Sequence, residues 1–397
     1  MIQERRLLVV TESMGVGGTE SHLLRLLPRL SASGWKSAVF CVSGRGERAD
    51  ELESRGVEVS CAQRAETQSI IGRRPTRILH AAGGLFWFIR RWHPQIAHFY
   101  LPGPYLIGAP IAIAQQVPLK IMSRRSLSVY QQNWPMVAGI ERALHRQMDA
   151  LIGPSGAVVS QLLEEGAPEA KVRLIYNGIE AKEPLATRAA SRRELGIDEN
   201  ALVGIVVANL IHYKGHQDLI KGLGQVGPQL PPNWLVLLVG RDEGLGTKLK
   251  LLAGNEGIAG HIRFLGQRSD VPCLLSAADF GLLTSHEEGF SNFILESMAA
   301  ELPMIVTAVG GNPEAVVNEE TGLVIPTHNP GAIGSAVLRL ACKPELRMRL
   351  GAAGRDRVIR KFSLDRCAAA HAELYEELLG NVEHFPPQAR VDSQYVQ

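Results

Sequence analysis

Residues 280–300 run Phe280-Gly281-Leu282-Leu283-Thr284-Ser285-His286-Glu287-Glu288-Gly289-Phe290-Ser291-Asn292 and continue Phe293-Ile294-Leu295-Glu296-Ser297-Met298-Ala299-Ala300. The first four residues read as a short buried strand, the polar stretch with Gly289 as a turn, and Phe293 to Ala300 as a helix. Strand, turn and helix in that order form the repeating unit of a parallel sheet, because parallel neighbours need a crossover and a helix supplies it.

The same unit recurs in both directions. Around this stretch, Ala201 to Ala208, Trp234 to Val239, Ile262 to Leu265, Met304 to Thr307 and Leu323 to Ile325 read as strands, with Gly215 to Leu223 helical between the first two. Nearer the start, strands are expected at Leu7 to Thr11, Ser37 to Val42, Val57 to Ser60, Ile96 to Tyr100, Leu119 to Met122, Ala150 to Ile152 and Val172 to Ile175. After the first of these, Leu23, Leu26, Leu27 and Leu30 share one helical face, with Thr19 placed to cap its start. The chain of 397 residues is long for a single core. The fold class is therefore α/β, with two doubly wound, Rossmann-like domains facing across a cleft. Their expected extents are 1–180 and 181–362, followed by a helix over 363–380 and a flexible tail over 381–397. Asn177 to Ala189, with Gly178 and Pro184, reads as the linker.

Composition narrows the function. Residues 1–180 hold 21 lysines and arginines against 15 acidic residues, and the remainder 21 against 25. That spread lacks the concentrated basic stripe of a nucleic-acid binder. It fits a first half that meets something anionic, a phosphorylated acceptor or a lipid surface, or else an uneven solvated surface. Five cysteines without metal-ligand spacing suggest a reducing compartment, no disulfide and no zinc. No stretch has the length and apolarity of a membrane span. Leu79 to Ile89, leaving through Arg90-Arg91-Trp92, reads as an interfacial or an ordinary core helix. The expected location is cytoplasmic, with peripheral contact at the inner face of the membrane.

Ligands of a doubly wound sheet collect beyond the carboxyl ends of its strands. Gly15-Val16-Gly17-Gly18-Thr19-Glu20 follows the first strand and would expose amides at a helix start, or simply be a tight turn. It is neither a dinucleotide fingerprint nor a P-loop. Amides near Phe290, Ser291 and Asn292, beside Gly289, would point at a phosphate, while Glu288 and Glu296 accept hydrogen bonds from sugar hydroxyls. Both glutamates also read as surface charges. In Asn209-Leu210-Ile211-His212-Tyr213-Lys214-Gly215-His216, Lys214 would neutralise a diphosphate as a point charge. His98, near the end of a strand, reads as a catalytic or a structural histidine, and His286 as structural or pocket-lining. The histidines form no tight metal cluster in the sequence, and no Asp-x-Asp pair marks a donor loop, so a divalent metal is not required and no metal ligand is named.

These residues resemble the retaining glycosyltransferases of family 4, the glycosyl transferases group 1, which have the GT-B fold. Gly17-Gly18-Thr19-Glu20 looks like the family's first loop, Ile175-Tyr176-Asn177-Gly178-Ile179 like its domain junction, and Lys214-Gly215 like its donor-phosphate motif. Glu288 through Glu296 matches its E-x7-E pattern, and Gly310-Gly311-Asn312-Pro313-Glu314 and Phe362-Ser363-Leu364 follow in order. The resemblance implies that Glu296 binds the donor ribose, that Glu288 contacts the transferred sugar, and that Lys214 with the backbone of Phe290 to Asn292 stabilises the diphosphate. It places the loop from Gly266 to Asp270 beside the base, and Gly17, Gly18, Thr19, His98 and Arg124 on the acceptor side. The last helix would cross back to the first domain. Two positions depart from the family: Asn209 stands where an arginine is usual, and Ser123-Arg124-Arg125-Ser126 where a histidine is frequent.

The implied reaction moves a sugar from a nucleoside-diphosphate sugar, UDP-linked by preference, to a hydroxyl of a glycan, lipid-linked glycan or small molecule, with retention at the anomeric carbon. It needs no tightly bound cofactor. Lys214 and Arg124 would stabilise the departing phosphate, and Glu288 would orient the sugar. The alternatives are a nucleotide-sugar epimerase or hydrolase, which would turn over donor without acceptor, and a non-catalytic nucleotide-sugar binding protein.

Overall fold

The structure is a computed structural model and describes residues 5–62, 75–128, 130–181 and 186–380. The chain divides into two compact units, one of the residues up to Gly178 together with the helix Leu364–Leu379, the other of Ile179–Ser363. Where it enters and leaves the second unit, the Ile179 amide donates to the Phe362 carbonyl at 3.0 Å. The tail expected over 381–397 and residues 182–185 of the expected linker lie outside the described residues.

The first unit holds β1 (Arg5–Thr11), β2 (Trp35–Cys41), β3 (Glu58–Cys61), β4 (Ile96–Tyr100), β5 (Leu119–Ser123), β6 (Ala150–Gly153) and β7 (Val172–Leu174). They form one parallel sheet in the order β3-β2-β1-β4-β5-β6-β7, in which Val9 of β1 lies between Val39 and His98. Successive side chains of a strand point to opposite faces. Accordingly Leu7 and Val9 pack with Leu23, Leu27, Leu374 and Tyr375, from the helices Gly18–Ala32 and Leu364–Leu379. Leu8 and Val10 pack on the other face with Leu85, Phe88 and Ala109, from Pro75–Trp92 and Pro102–Ala114. Full burial of each such side chain contributes about 1.5–3 kcal/mol. The final helix is tied to its unit by Arg173 on Glu377 at 3.3 Å and by Tyr375, whose hydroxyl meets His98.

Thr19 does not cap the first helix. The capping position is Gly17, in extended backbone and without a side-chain cap, and Thr19 lies inside the first turn. Glu20 takes over the role: its carboxylate folds back to accept from its own backbone N–H, passing where a Cβ on Gly17 would stand 2.4 Å from Glu20 Oε2.

The second unit holds β8 (Val203–Val207), β9 (Leu235–Val239), β10 (Ile262–Gly266), β11 (Phe280–Leu283), β12 (Met304–Thr307) and β13 (Gly322–Ile325). Its parallel order is β10-β9-β8-β11-β12-β13, over a core that includes Val206, Leu219, Leu238, Leu282 and Ile305. Each sheet reverses its direction of growth once, between β1 and β4 and between β8 and β11. Such switch points leave a crevice beyond the strand ends, where the connecting loops diverge. Both units are thus Rossmann-like, and the chain has the GT-B composition of two such domains. No described helix is long and apolar enough to cross a membrane.

Candidate active site

At the switch point of the second unit β8 and β11 are neighbours, so the loops that follow them meet. The chain after β8 tightens into the short 3-10 turn His212–Lys214 and then reverses at Gly215, with φ 68°. A Cβ on Gly215 would stand 1.9 Å from the Thr284 carbonyl oxygen, so the close approach of the two loops requires glycine here. Thr284 Oγ1 donates to the Gly215 carbonyl at 3.1 Å, and the His286 amide to the Tyr213 carbonyl at 2.7 Å.

This seam delivers Lys214 to Glu288. Lys214 Nζ lies 2.6 Å from Glu288 Oε1, which also accepts from Ser285 Oγ at 2.8 Å. A third loop supports the carboxylate from behind. The Gly311 amide donates to the Gly289 carbonyl at 3.0 Å, and Gly310, with φ 49°, lies so close that a Cβ there would be 1.6 Å from the Glu288 carbonyl oxygen. Burial works against the Lys214 ammonium, yet Glu288, Tyr213 and Glu287 outweigh it, and its pKa is raised. Burial and the adjacent Glu288 charge raise the Glu287 pKa. The result is a fixed cation beside a buried carboxylate, able to meet a diphosphate and a hydroxylated sugar together.

Glu296 lies half-buried in the helix Asn292–Ala299, which begins at Ser291 without a side-chain cap. Phe290 is buried against Phe362, ring centroids 5.4 Å apart, which anchors the turn that carries Gly289 to Asn292. Asn209 holds the neighbouring loop, its Oδ1 accepting from the Arg241 amide at 3.1 Å and its carbonyl facing His216 Nε2 at 3.0 Å. Gly266 ends β10 in left-handed backbone, with φ 66° and open space about its Cβ position. The second unit thus brings Asn209, Lys214, Glu288, Gly289 and the turn to Asn292 to one switch point, with Glu296 on the helix that follows.

In the first unit two candidates do something else. His98 is fully buried, with Tyr375 Oη 2.8 Å from Nδ1 and Ser123 Oγ 2.8 Å from Nε2. Burial, then His371 and Arg125, hold its pKa well below the usual histidine value. It joins β4, β5 and the last helix, and both ring nitrogens are taken, which corrects its reading as a catalytic or acceptor-facing group.

Arg124 is only 2% exposed and donates to both Glu165 oxygens, at 3.0 and 2.8 Å, with Glu141 at 3.8 Å. Tyr130 donates to Glu141, and His145 Nε2 lies 3.1 Å from Glu165. Burial opposes the Arg124 charge, but Tyr130, Glu141 and Glu165 outweigh it and the pKa is raised. Its expected work on a departing phosphate is therefore corrected: the guanidinium is committed to an internal ion pair.

The next residue is the one that sequence reasoning missed. Arg125 is half-buried, its guanidinium carbon 5.8 Å from the Tyr100 ring centroid, and it has no hydrogen-bond or ion-pair partner among the described residues. Burial lowers its pKa. Nearby, both ring nitrogens of buried His22 also lack hydrogen-bond partners among the described residues. Buried polar groups are normally satisfied, so an unpaired set around a cation is what an anionic ligand would complete. Gly17, Gly18 and Thr19 form the adjoining helix start.

Comparison with known proteins agrees with this geometry. The model for Glycosyl transferases group 1 matches residues 187–357, and that for Glycosyltransferase Family 4 matches residues 16–183. The chain is 33% identical over 331 residues to a D-inositol 3-phosphate glycosyltransferase of Corynebacterium glutamicum (strain R), covering 77% of this chain and 78% of that one. It is 26% identical over 294 residues to the N-acetyl-alpha-D-glucosaminyl L-malate synthase of Bacillus anthracis, covering 73% and 76%. Among solved structures, Anabaena HepE in complex with UDP and glucose superposes with a TM-score of 0.81 at 18% identity, over 94% of this chain and 100% of that one. With this strand order, these loops and these relatives, the chain belongs to the GT-B-fold glycosyltransferases, enzymes that use nucleotide sugars.

Proposed function

We propose that this enzyme transfers a hexosyl or N-acetylhexosaminyl group from a UDP-linked donor, with retention at the anomeric carbon, to a hydroxyl of an acceptor that carries an anionic group. The observation that carries the donor half is the Lys214–Glu288 contact at 2.6 Å, with Glu296 on the helix that follows. Donor binding places the diphosphate at Lys214 and the sugar hydroxyls at Glu288, and Glu296 receives the ribose. As the bond to the anomeric carbon breaks, Lys214 and the amides around Phe290 to Asn292 stabilise the growing phosphate charge. The donor phosphate takes the proton of the acceptor hydroxyl, which attacks from the same face. Glu288 orients the sugar and forms no covalent intermediate. UDP is preferred because the HepE structure similar to this one holds UDP and glucose.

Arg125 and the unpartnered groups beside it support an anionic acceptor, and two relatives are named for D-inositol 3-phosphate and L-malate. A glycan phosphate or a lipid-linked glycan meets the same requirement. The helix Pro75–Trp92 exposes Leu79 and Trp87, 70% and 68%, beside Arg90 and Arg91, which supports a peripheral contact with the inner face of a membrane during cell-envelope or exopolysaccharide synthesis. The test is mass-spectrometric turnover of pooled UDP-, GDP-, ADP- and dTDP-sugars, with and without a mixed acceptor extract. Acceptor-dependent release of one nucleotide with a matching sugar adduct, reduced in Glu296→Ala at limiting donor, is the expected result. Isomerisation or hydrolysis without acceptor would instead identify an epimerase or hydrolase, and binding without turnover a non-catalytic protein.

A further inference from the structure

Three loops of the second unit bring together side chains that the donor chemistry does not use. Asp218 stands in the first turn of the helix His216–Val226, His286 in the loop after β11, and His328 in the loop after β13. His286 Nε2 lies 2.8 Å from Asp218 Oδ2, and His328 Nδ1 lies 3.9 Å from the same oxygen. The two imidazole rings are 3.7 Å apart between centroids, tilted by 32°. One ligand atom from each residue lies within 4.8 Å of the others. Sequence spacing does not show this grouping, because the residues are far apart in sequence and only the strand order unites them.

A hydrogen bond between His286 and Asp218 accounts for the shorter contact. The second imidazole stacks on the first. His328 is too far from the carboxylate for a hydrogen bond, yet its Nδ1 approaches the same oxygen from left-handed backbone, φ 53°, a conformation that is uncommon outside glycine. A shared cation accounts for both. Bonds of about 2.0–2.2 Å from nitrogen and oxygen to a tetrahedral metal put neighbouring ligand atoms about 3.3 Å apart. The observed 2.8 and 3.9 Å bracket that separation, and the exposed His328 imidazole would have to swing out of its stack on His286 to turn its nitrogen to the shared ion. Two imidazoles and a carboxylate suit a borderline cation of the zinc class rather than magnesium or calcium, which take oxygen ligands. The side chain of His328 is 64% exposed, which leaves a coordination position for water.

We propose that Asp218, His286 and His328 form an exchangeable binding site for a zinc-class divalent cation. The ion would clamp the loops after β8, β11 and β13 to one another. Lys214 precedes Asp218 by four residues and Glu288 follows His286 by two, so occupancy would stiffen the loops on which those groups stand. Binding releases protons in proportion to the imidazolium it displaces, and it does not depend on the identity of the sugar donor.

The test is titration of the untagged full chain with Co2+, followed by its visible ligand-field absorption, and with Zn2+ by calorimetry. The variants are His328→Ala, Asp218→Asn and, as a control at an exposed histidine elsewhere, His93→Ala. The expected result is one equivalent bound with the absorption of a low-symmetry four-coordinate site, an affinity weakened by roughly tenfold or more in His328→Ala and Asp218→Asn, and no change in His93→Ala. Zinc should also raise the melting temperature of the wild type and not that of His328→Ala. His328 is exposed, so circular dichroism of that variant should match the wild type. Absence of the cobalt band, or equal affinity in wild type and His328→Ala, would overturn the site.

Discussion

Lys214 Nζ and Glu288 Oε1 stand 2.6 Å apart across 74 residues of sequence. The contact exists because β8 and β11 are neighbours at the point where the second sheet reverses its growth, and because Gly215 lets their loops touch. Without a ligand, Glu288 keeps the ammonium charged and in place, and a diphosphate would share or replace that partner. Lys214→Ala should lower kcat/KM by about 10²–10³-fold, the usual scale for losing one preorganised group aimed at developing charge. Initial rates of nucleotide release measure it, and an unchanged kcat would remove Lys214 from the chemistry.

Glu296 stands on the helix that follows, and its expected work is in binding. Loss of charged hydrogen bonds to the ribose costs about 1.5–3 kcal/mol, which corresponds to roughly ten- to hundredfold in affinity. Glu296→Ala should therefore raise the donor KM by that factor, with a smaller effect on the acceptor KM. Steady-state kinetics with each substrate varied in turn separates the two.

Gly310 carries no chemistry but sits against the backbone of Glu288. A Cβ there would overlap the Glu288 carbonyl oxygen, and its φ of 49° disfavours any other residue. Gly310→Ala should displace the carboxylate and reduce turnover at least as severely as Glu288→Gln. A crystal structure of the variant with Glu288 unmoved would refute this explanation.

Arg124 and Arg125 should part company on substitution. Removing one partner of a buried ion pair leaves the other charge unpaired, so Arg124→Ala should destabilise the first unit by about 3–5 kcal/mol. Arg125→Ala removes a cation without a hydrogen-bond or ion-pair partner among the described residues, and should leave the denaturation midpoint nearly unchanged while raising the acceptor KM. Tryptophan fluorescence follows the first unit well, since Trp35, Trp87, Trp92 and Trp134 all lie in it.

The ion pair also sets a pH dependence. Burial would raise the Glu165 pKa, but His145, Arg124 and Gln131 outweigh it and bring it down to about 2. The unfolded chain binds that proton first, near the ordinary value of 4.5. The stabilisation by Glu165 is therefore complete above pH 4.5 and lost as the pH falls from there toward 2. Denaturant titrations of wild type and Glu165→Gln should differ most at neutral pH and converge in acid. A difference that grows in acid would contradict the assignment.

Much of this molecule could be read from its sequence, and the exceptions have physical reasons. Strand and helix alternation placed β4, β11 and β12 with their observed limits, because parallel strands buried on both faces appear as unbroken apolar runs. Lys214 and Glu288 could be placed in the loops after two strands, and Glu296 on the helix after the second, because each stretch reads locally as strand, turn and helix. Arg124 and Arg125 were not distinguishable, since adjacent side chains leave a strand end in opposite directions and only the folded chain shows which one finds Glu165. The partners of His98 come from β5 and from a helix 277 residues away, so nothing local marks its nitrogens as taken. Asp218, His286 and His328 share no spacing pattern, for they meet only through strand order.

The most direct measurement is the stoichiometry of nucleoside diphosphate released to glycosylated acceptor formed, with the preferred donor, for wild type and Lys214→Ala. The expected result is one to one, strictly dependent on acceptor, with both products reduced together in the variant. Release of nucleotide without a sugar adduct, or equal rates in the two proteins, would contradict transfer at the Lys214–Glu288 site.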